Sequence, residues 1–277
     1  MPRRFAYLAV EGPHDAAFIG RLLRNAGLRE VRREEATNNE PFLDPELSRL
    51  IPRNFPQGND LLARVAVPFF WQSEEWTVAI DSVTGDSQLI AKAASALKRL
   101  DPPHRFEALG FLLDADSNDS VEQRYSKLKT DFSSEPAFAG LGFALAEQPG
   151  EVAGTGKRCG VYFLPDNKNE GTLENLLLEC ADVYYQNLKN CAEGFLKQID
   201  FDQLHASELR EFYKPSGHKK ATVAAMGAVL KPGKSIQVSI SDNRWLQEAA
   251  EQLPRIHACR QFLSALIGFD FLDAGGA

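Results

Sequence analysis

Four short apolar runs, Phe5–Val10, Trp76–Ser82, Leu109–Asp114 and Arg158–Leu164, alternate with segments of helical periodicity. Those segments are His14–Asn25, Asp86–Leu100 and Ser120–Phe132. The first carries Phe18, Ile19, Leu22 and Leu23 on one face and is stopped by Gly27. Short continuous apolar runs are strands buried on both faces. Strands alternating with helices make βαβ units, so the sequence predicts an α/β fold: a mainly parallel sheet flanked by helices on both faces. A long helical region is expected over 172–199, interrupted near Gly194, with further helices over 219–230 and 243–266. Between Glu30 and Glu75 the periodicity fades among Asn38, Asn39, Pro41, Pro45, Pro52, Pro56 and Gly58. This stretch reads as an insertion after the first helix with one short helix near Leu43–Leu50. The expectation is a single elaborated domain over 1–277, with a core at about 4–180, an insertion at 30–75 and a helical C-terminal extension at 181–272. The tail Asp273–Ala277 is expected to fray.

Composition narrows the function. At 44% hydrophobic and 25% charged, 277 residues can enclose a sizeable core. The longest strongly apolar stretch, Val65–Trp71, contains a proline and is too short to span a bilayer, so no membrane partner is expected. Met1-Pro2-Arg3-Arg4 leads straight into a strand and leaves no room for a signal peptide, so the expected location is cytoplasmic. Cys159, Cys180, Cys191 and Cys259 form no CxxC pair and the five histidines are scattered, which speaks against structural zinc and for reduced, mostly buried thiols. A net charge of −7 argues against a protein that coats nucleic acid by charge alone. It leaves room for a nucleic-acid enzyme. Arg21, Arg24, Arg29, Arg32 and Arg33 form a local basic cluster, readable as a contact patch or as a solvated helix face and loop.

Acidic residues follow three of the apolar runs: Glu11 and Asp15 in Val10-Glu11-Gly12-Pro13-His14-Asp15, then Asp114-Ala115-Asp116, then Glu174 in Gly171-Thr172-Leu173-Glu174. In a parallel α/β sheet, residues just beyond the carboxyl ends of neighbouring strands face one crevice. Carboxylates gathered there repel one another unless a cation holds them, and hard oxygen ligands suit Mg²⁺, with Mn²⁺ as a substitute. Asp15 sits one turn into its helix and can face the same crevice as Glu11; in an extended segment Asp114 and Asp116 would share a face. Each carboxylate also has a plainer role open to it. Glu11, Asp15 and Glu174 suit a turn or a helix N-terminus, and Asp116 could cap the next helix in competition with Ser117, Asn118 and Asp119.

Glu11-Gly12-x-x-Asp15 after the first strand and Asp114-x-Asp116 after the third resemble the two signature motifs of the Toprim domain. That domain is shared by topoisomerases, bacterial primases, certain ribonucleases and OLD-family nucleases. Pro165-Asp166-Asn167, followed by Gly171-Thr172-Leu173-Glu174-Asn175-Leu176-Leu177, resembles more particularly stand-alone Toprim-like proteins of unknown function related to the nuclease half of OLD proteins. The likeness covers roughly 4–180. It implies a Toprim-like sheet, with Glu11 as a metal ligand or general acid/base, Asp114 and Asp116 as metal ligands, Asp15 supporting them, and Glu174 serving a second metal. Two metals about 4 Å apart would stabilise both the attacking and the leaving oxygen of a phosphodiester. OLD-like proteins also use a late lysine; His218-Lys219-Lys220 opens a helix, and Lys220 is the candidate, with an ordinary exposed lysine pair as the alternative. The ATPase half that accompanies OLD nucleases has no counterpart in the sequence, so ATP-driven action would need a protein partner.

Other motifs count for less. Ser82–Ser87 opens a helix and suits either a phosphate or simple capping. Gly154-Thr155-Gly156-Lys157 fails as a P-loop, because Arg158 replaces the Ser/Thr and a strand follows. Phe69, Phe70, Trp71 and Trp76 could stack bases but fit a core better. His14 could assist proton transfer or simply open its helix. The function expected is a Mg²⁺-dependent phosphoryl-transfer enzyme acting on nucleic acid, a nuclease above all. The alternative is a non-catalytic metal-binding regulatory or scaffold module.

Overall fold

The computed structural model describes residues 2–34, 41–53, 67–83, 88–100, 105–116, 119–269 and 271. Seven strands form one sheet: β1 (Arg4–Val10), β2 (Arg29–Val31), β3 (Phe69–Gln72), β4 (Trp76–Ser82), β5 (Phe106–Asp114), β6 (Val152–Ala153) and β7 (Arg158–Leu164). Their order is β2-β3-β4-β1-β5-β7-β6. The four central strands, β4, β1, β5 and β7, are mutually parallel. The edges are antiparallel, with β2 and β3 on one side and β6 on the other. The fold is therefore α/β with a mostly parallel sheet.

Alternation along β1 shows why its run is apolar throughout. Ala6, Leu8 and Val10 enter one core, and Phe5, Tyr7 and Ala9 enter the other. Against the second face pack α2 (Leu89–Lys98), α3 (Val121–Ser134), the short α4 (Pro136–Gly140) and the 3-10 turn Pro45–Leu50. The first face is covered by α1 (Pro13–Asn25), α5 (Leu173–Tyr184) and α10 (Pro254–Ile267). Around these lie α6 (Gln186–Lys197), α7 (Gly217–Leu230), α8 (Ile236–Asp242) and the one-turn α9 (Glu248–Glu251). The C-terminal helices are not merely appended: Met226, Ile240, Trp245 and Leu263 belong to the same buried cluster as Leu8 and Phe18. No helix among the described residues is long and apolar enough to cross a membrane.

Several boundaries differ from expectation. The helical region after 172 breaks at Tyr185 (φ −134°), whereas Gly194 lies inside α6. A helix-interior glycine costs only about 1 kcal/mol relative to alanine and does not by itself end a helix. The segment expected as one helix over 243–266 is a 3-10 turn at Arg244–Leu246, then α9, then α10, which starts with Pro254 at its first turn. The edge strands β2, β3 and β6, together with α4 and α8, carry too little periodicity to be read. The aromatic cluster is mainly core: Phe70, Trp71 and Trp76 are buried and Phe69 is exposed. Arg21 and Arg24 both donate to the Ser241 carbonyl at the end of α8, so two of the five arginines of the basic cluster are spent on helix packing. A strand does follow Lys157, as the rejection of a P-loop required. Asn38, Asn39, Pro56, Gly58, Thr84, Gly85, Asp86, Ser87, Ser117, Asn118 and the tail Asp273–Ala277 lie outside the described residues.

Two glycines decide how α10 seats. Gly110 and Gly160 pair across β5 and β7. A Cβ on Gly110 would stand 2.5 Å from Leu266 Cδ2 and 2.6 Å from Leu8 Cδ2, and one on Gly160 would stand 2.7 Å from Phe262 Cε2. The bare strand backbone thus makes the slot into which α10 presses. Gly110→Ala is expected to lower unfolding stability by about 1–3 kcal/mol through overpacking. Urea denaturation checks this, and an unchanged midpoint would show that α10 is not seated against that slot.

Candidate active site

The chain runs from β1 to β4 on one side of β1, then crosses to β5 on the other side, so strand order reverses between β1 and β5. Crevices at the carboxyl ends of strands form at such a switch point. Glu11 is the first residue beyond β1 and Asp114 is the last of β5.

Each acidic side chain is placed by a local device. Gly12 is extended at the N-cap of α1, and the Asp15 Oδ2 accepts a 2.8 Å hydrogen bond from the Gly12 N–H. The capping role open to Asp15 is thus real, but it occupies one oxygen. Asp114 Oδ1 accepts from the Leu173 N–H at 2.9 Å, tying the end of β5 to the first turn of α5. Glu174, in that turn, accepts from Thr172 Oγ1 at 2.7 Å. Asp15 is 7% and Glu174 6% exposed. Among the described residues, none of Asp15, Asp114 and Glu174 forms an ion pair with a basic side chain.

These groups share one electrostatic field. Burial pushes the Asp114 carboxyl well above the usual carboxylate range, and the charges of Asp15, Glu11 and Glu174 push it further; the Leu173 N–H opposes them. Asp15 is pushed up to about 7 by burial, then by Glu11 and Glu174, against the Gly12 N–H and the Lys220 ammonium. His14 is lowered chiefly by burial, with Glu174 raising it and Lys220 lowering it. Glu11, Asp15, Asp114 and Glu174, from three chain segments, therefore lie close enough to repel one another, and Lys220 faces the same group.

Asp116 departs from the expected extended geometry. Its backbone is left-handed (φ 47°), a conformation that aspartate tolerates better than most residues, and its N–H bonds to the Gly171 carbonyl. The turn carries its side chain, 49% exposed, toward Arg124 at 3.2 Å instead of alongside Asp114. It does not cap the following helix; Ser120 does. Arg124 also reaches Glu11 Oε1 at 3.3 Å and is only 10% exposed. Nothing in the sequence marks Arg124, which is one of several charged residues on α3. Asn175, part of the Gly171–Leu177 motif with no role assigned from sequence, accepts at Oδ1 from the Thr172 N–H and from Lys219 Nζ.

The donors are hard carboxylate oxygens in mutual repulsion, the chemistry that suits Mg²⁺ or Mn²⁺. The side chains are not drawn into a finished cage: among the described residues, no group of three or more His, Cys, Asp or Glu could hold a metal ion as placed. The donor chemistry suits such an ion, but the described side chains do not form its shell. The cysteines Cys159, Cys180 and Cys259 are free and buried, far from such a role in character.

The match to known proteins is narrow. A family model described as protein of unknown function (DUF3226) matches residues 6–267, and the chain belongs to that family. No curated protein matches it in sequence. A solved structure, the hypothetical protein PH0156 from Pyrococcus horikoshii OT3, is similar over 95% of each chain, at 16% identity and a TM-score of 0.46.

The charge cluster makes a pH-dependent prediction. A carboxyl whose folded-state acidity is weakened contributes its full stability below its unfolded value near 4, and that contribution is lost as pH rises through the folded value. Asp15, at about 7, places the window between roughly pH 4 and 8. Asp114→Asn, which keeps an oxygen for the Leu173 N–H, is therefore expected to stabilise the metal-free protein at pH 8 and to do so less at pH 4. Thermal unfolding in EDTA at the two pH values measures it; equal effects at both would remove the charge cluster as the cause.

Proposed function

We propose that this member of the DUF3226 family is a divalent-cation-dependent phosphoryl-transfer enzyme of the Toprim kind, acting on nucleic acid as a nuclease. The observation that supports the reading is the field at Asp114: one half-buried carboxyl pressed by three others from two further segments, with no basic side chain paired to it among the described residues. A fold gains nothing from such repulsion unless a positive charge is meant to enter. Glu11, Asp114 and Glu174 would hold the ion, with Asp116 reaching it only by leaving Arg124. Bound Mg²⁺ would supply an activated water and charge stabilisation at the phosphoryl oxygens. The remaining roles belong to the chain itself. Asp15, near neutrality in its acidity, can hold or release a proton on the oxygen not committed to Gly12. Lys220, which makes no ion pair among the described residues, would meet negative charge on the phosphates of the substrate.

The test is incubation with single- and double-stranded DNA and RNA in Mg²⁺, Mn²⁺ and EDTA. Metal-dependent cleavage abolished by Asp114→Ala is the expected result. Metal-dependent thermal stabilisation without cleavage would identify instead the non-catalytic binding module, which the grip of Arg124 on Glu11 and Asp116 favours. Absence of any response to either metal would defeat both.

A further inference from the structure

Beside the carboxylates opens a cavity of about 620 Å³ whose two walls carry opposite charge. Asp116 and Glu170 stand on one wall; Lys214, Ser216, Lys219 and Lys220, at the start of α7, stand on the other. The lysines are not equivalent. Lys214 is drawn to Glu211 at 2.6 Å, and Lys219 donates to the neutral Asn175 amide oxygen at 3.2 Å. Lys220 makes no hydrogen bond or ion pair through its ammonium among the described residues. Two lysines therefore face this cavity with their charge unneutralised by any carboxylate in direct contact.

The backbone adds to the same sign. Ser216 caps α7 without a side-chain hydrogen bond, and the first turn of that fourteen-residue helix holds no acidic residue. The first intrahelical bond closes from the Lys220 N–H to Ser216, so the N–H groups of His218 and Lys219 have no acceptor within the helix. Natural helices commonly place acidic groups at this end, where the dipole favours them. Here the sequence places His218-Lys219-Lys220 instead, accumulating positive charge where positive charge is disfavoured. The carboxylates of Asp15 and Glu211, which feel the Lys220 charge, offset part of that cost, and an anion between the lysines would offset more.

We propose that this lysine wall is a phosphate subsite: it takes one phosphate group, through Lys219 and Lys220, while the carboxylate side of the same crevice serves a neighbouring one. The placement of that phosphate in a polynucleotide rests on the function proposed above; the anion site itself does not need it. The charge division gives the crevice a polarity. A nucleic-acid strand would lie with one phosphate on the α7 side and the reacting phosphate on the side of β1 and β5.

The experiment reads binding without metal, so the two proposals fail separately. A fluorescently labelled single-stranded oligonucleotide is titrated with the full chain in EDTA across a salt series. The proteins are wild type, Lys219→Gln/Lys220→Gln, the charge-keeping Lys219→Arg/Lys220→Arg, and Lys197→Gln on α6 as a control. For single strands the slope of log affinity against log salt changes by about 0.7 per phosphate contact. The double glutamine variant is expected to flatten the slope by about that amount and weaken binding, with the arginine pair and the control close to wild type. Inorganic phosphate and a mononucleotide are titrated in parallel; binding of these alone, with the same lysine dependence, would keep the phosphate subsite and assign it to a small ligand. Absence of binding by every probe, or binding indifferent to the glutamine pair, would overturn the proposal. Lysine-dependent binding with no response to Mg²⁺ would keep the subsite and discard the metal reading.

Discussion

Burial of the parallel strands on both faces is the constraint from which the rest follows. β1, β5 and β7 have helices above and below, so the side chains along their buried middles are apolar or small. Charge is excluded until the strand ends. The first positions beyond the sheet are therefore where polar chemistry becomes possible, and the reversal of strand order between β1 and β5 opens room there. Glu11 is the first residue past β1 and Asp114 the last of β5, and the Leu173 N–H bonded to Asp114 brings α5, with Glu174, into the same space.

What was legible in the sequence divides along physical lines. The four central strands and the helices α1, α2, α3 and α5 were readable because burial imposes a pattern on every residue. Trp76–Ser82 and Arg158–Leu164 match their strands end to end. The edge strands were not, since β2 and β6 are three and two residues long and only partly buried, leaving no pattern to detect. The break at Tyr185 depends on packing of that ring against Trp245, a contact across sixty residues. The shared field of Glu11, Asp15, Asp114 and Glu174 followed from reading them as strand-end residues. The departure of Asp116 did not, because a left-handed backbone at a single aspartate leaves no trace in composition.

Charge in the crevice is arranged, not merely accumulated. Arg124 holds two carboxylates from its low-exposure position on α3, while the lysines approach from α7 on the opposite side. Asp15, buried, and Asp114, half-buried, are neutralised by neither through direct contact among the described residues. A pocket arranged in this way discriminates by sign over a few ångströms, rejecting a bare anion at its floor while accepting one at its rim.

The oxygen of Asn175 joins two parts of the chain that are forty-four residues apart, accepting from the Thr172 backbone and from Lys219 at once. One neutral amide thereby fixes the start of α5 and steadies the basic helix opposite. An aspartate at that position would preserve the cap while neutralising the adjacent ammonium; a leucine would release both. Position 175 thus tethers the start of α5 to the start of α7, and so the acidic to the basic lining of the crevice.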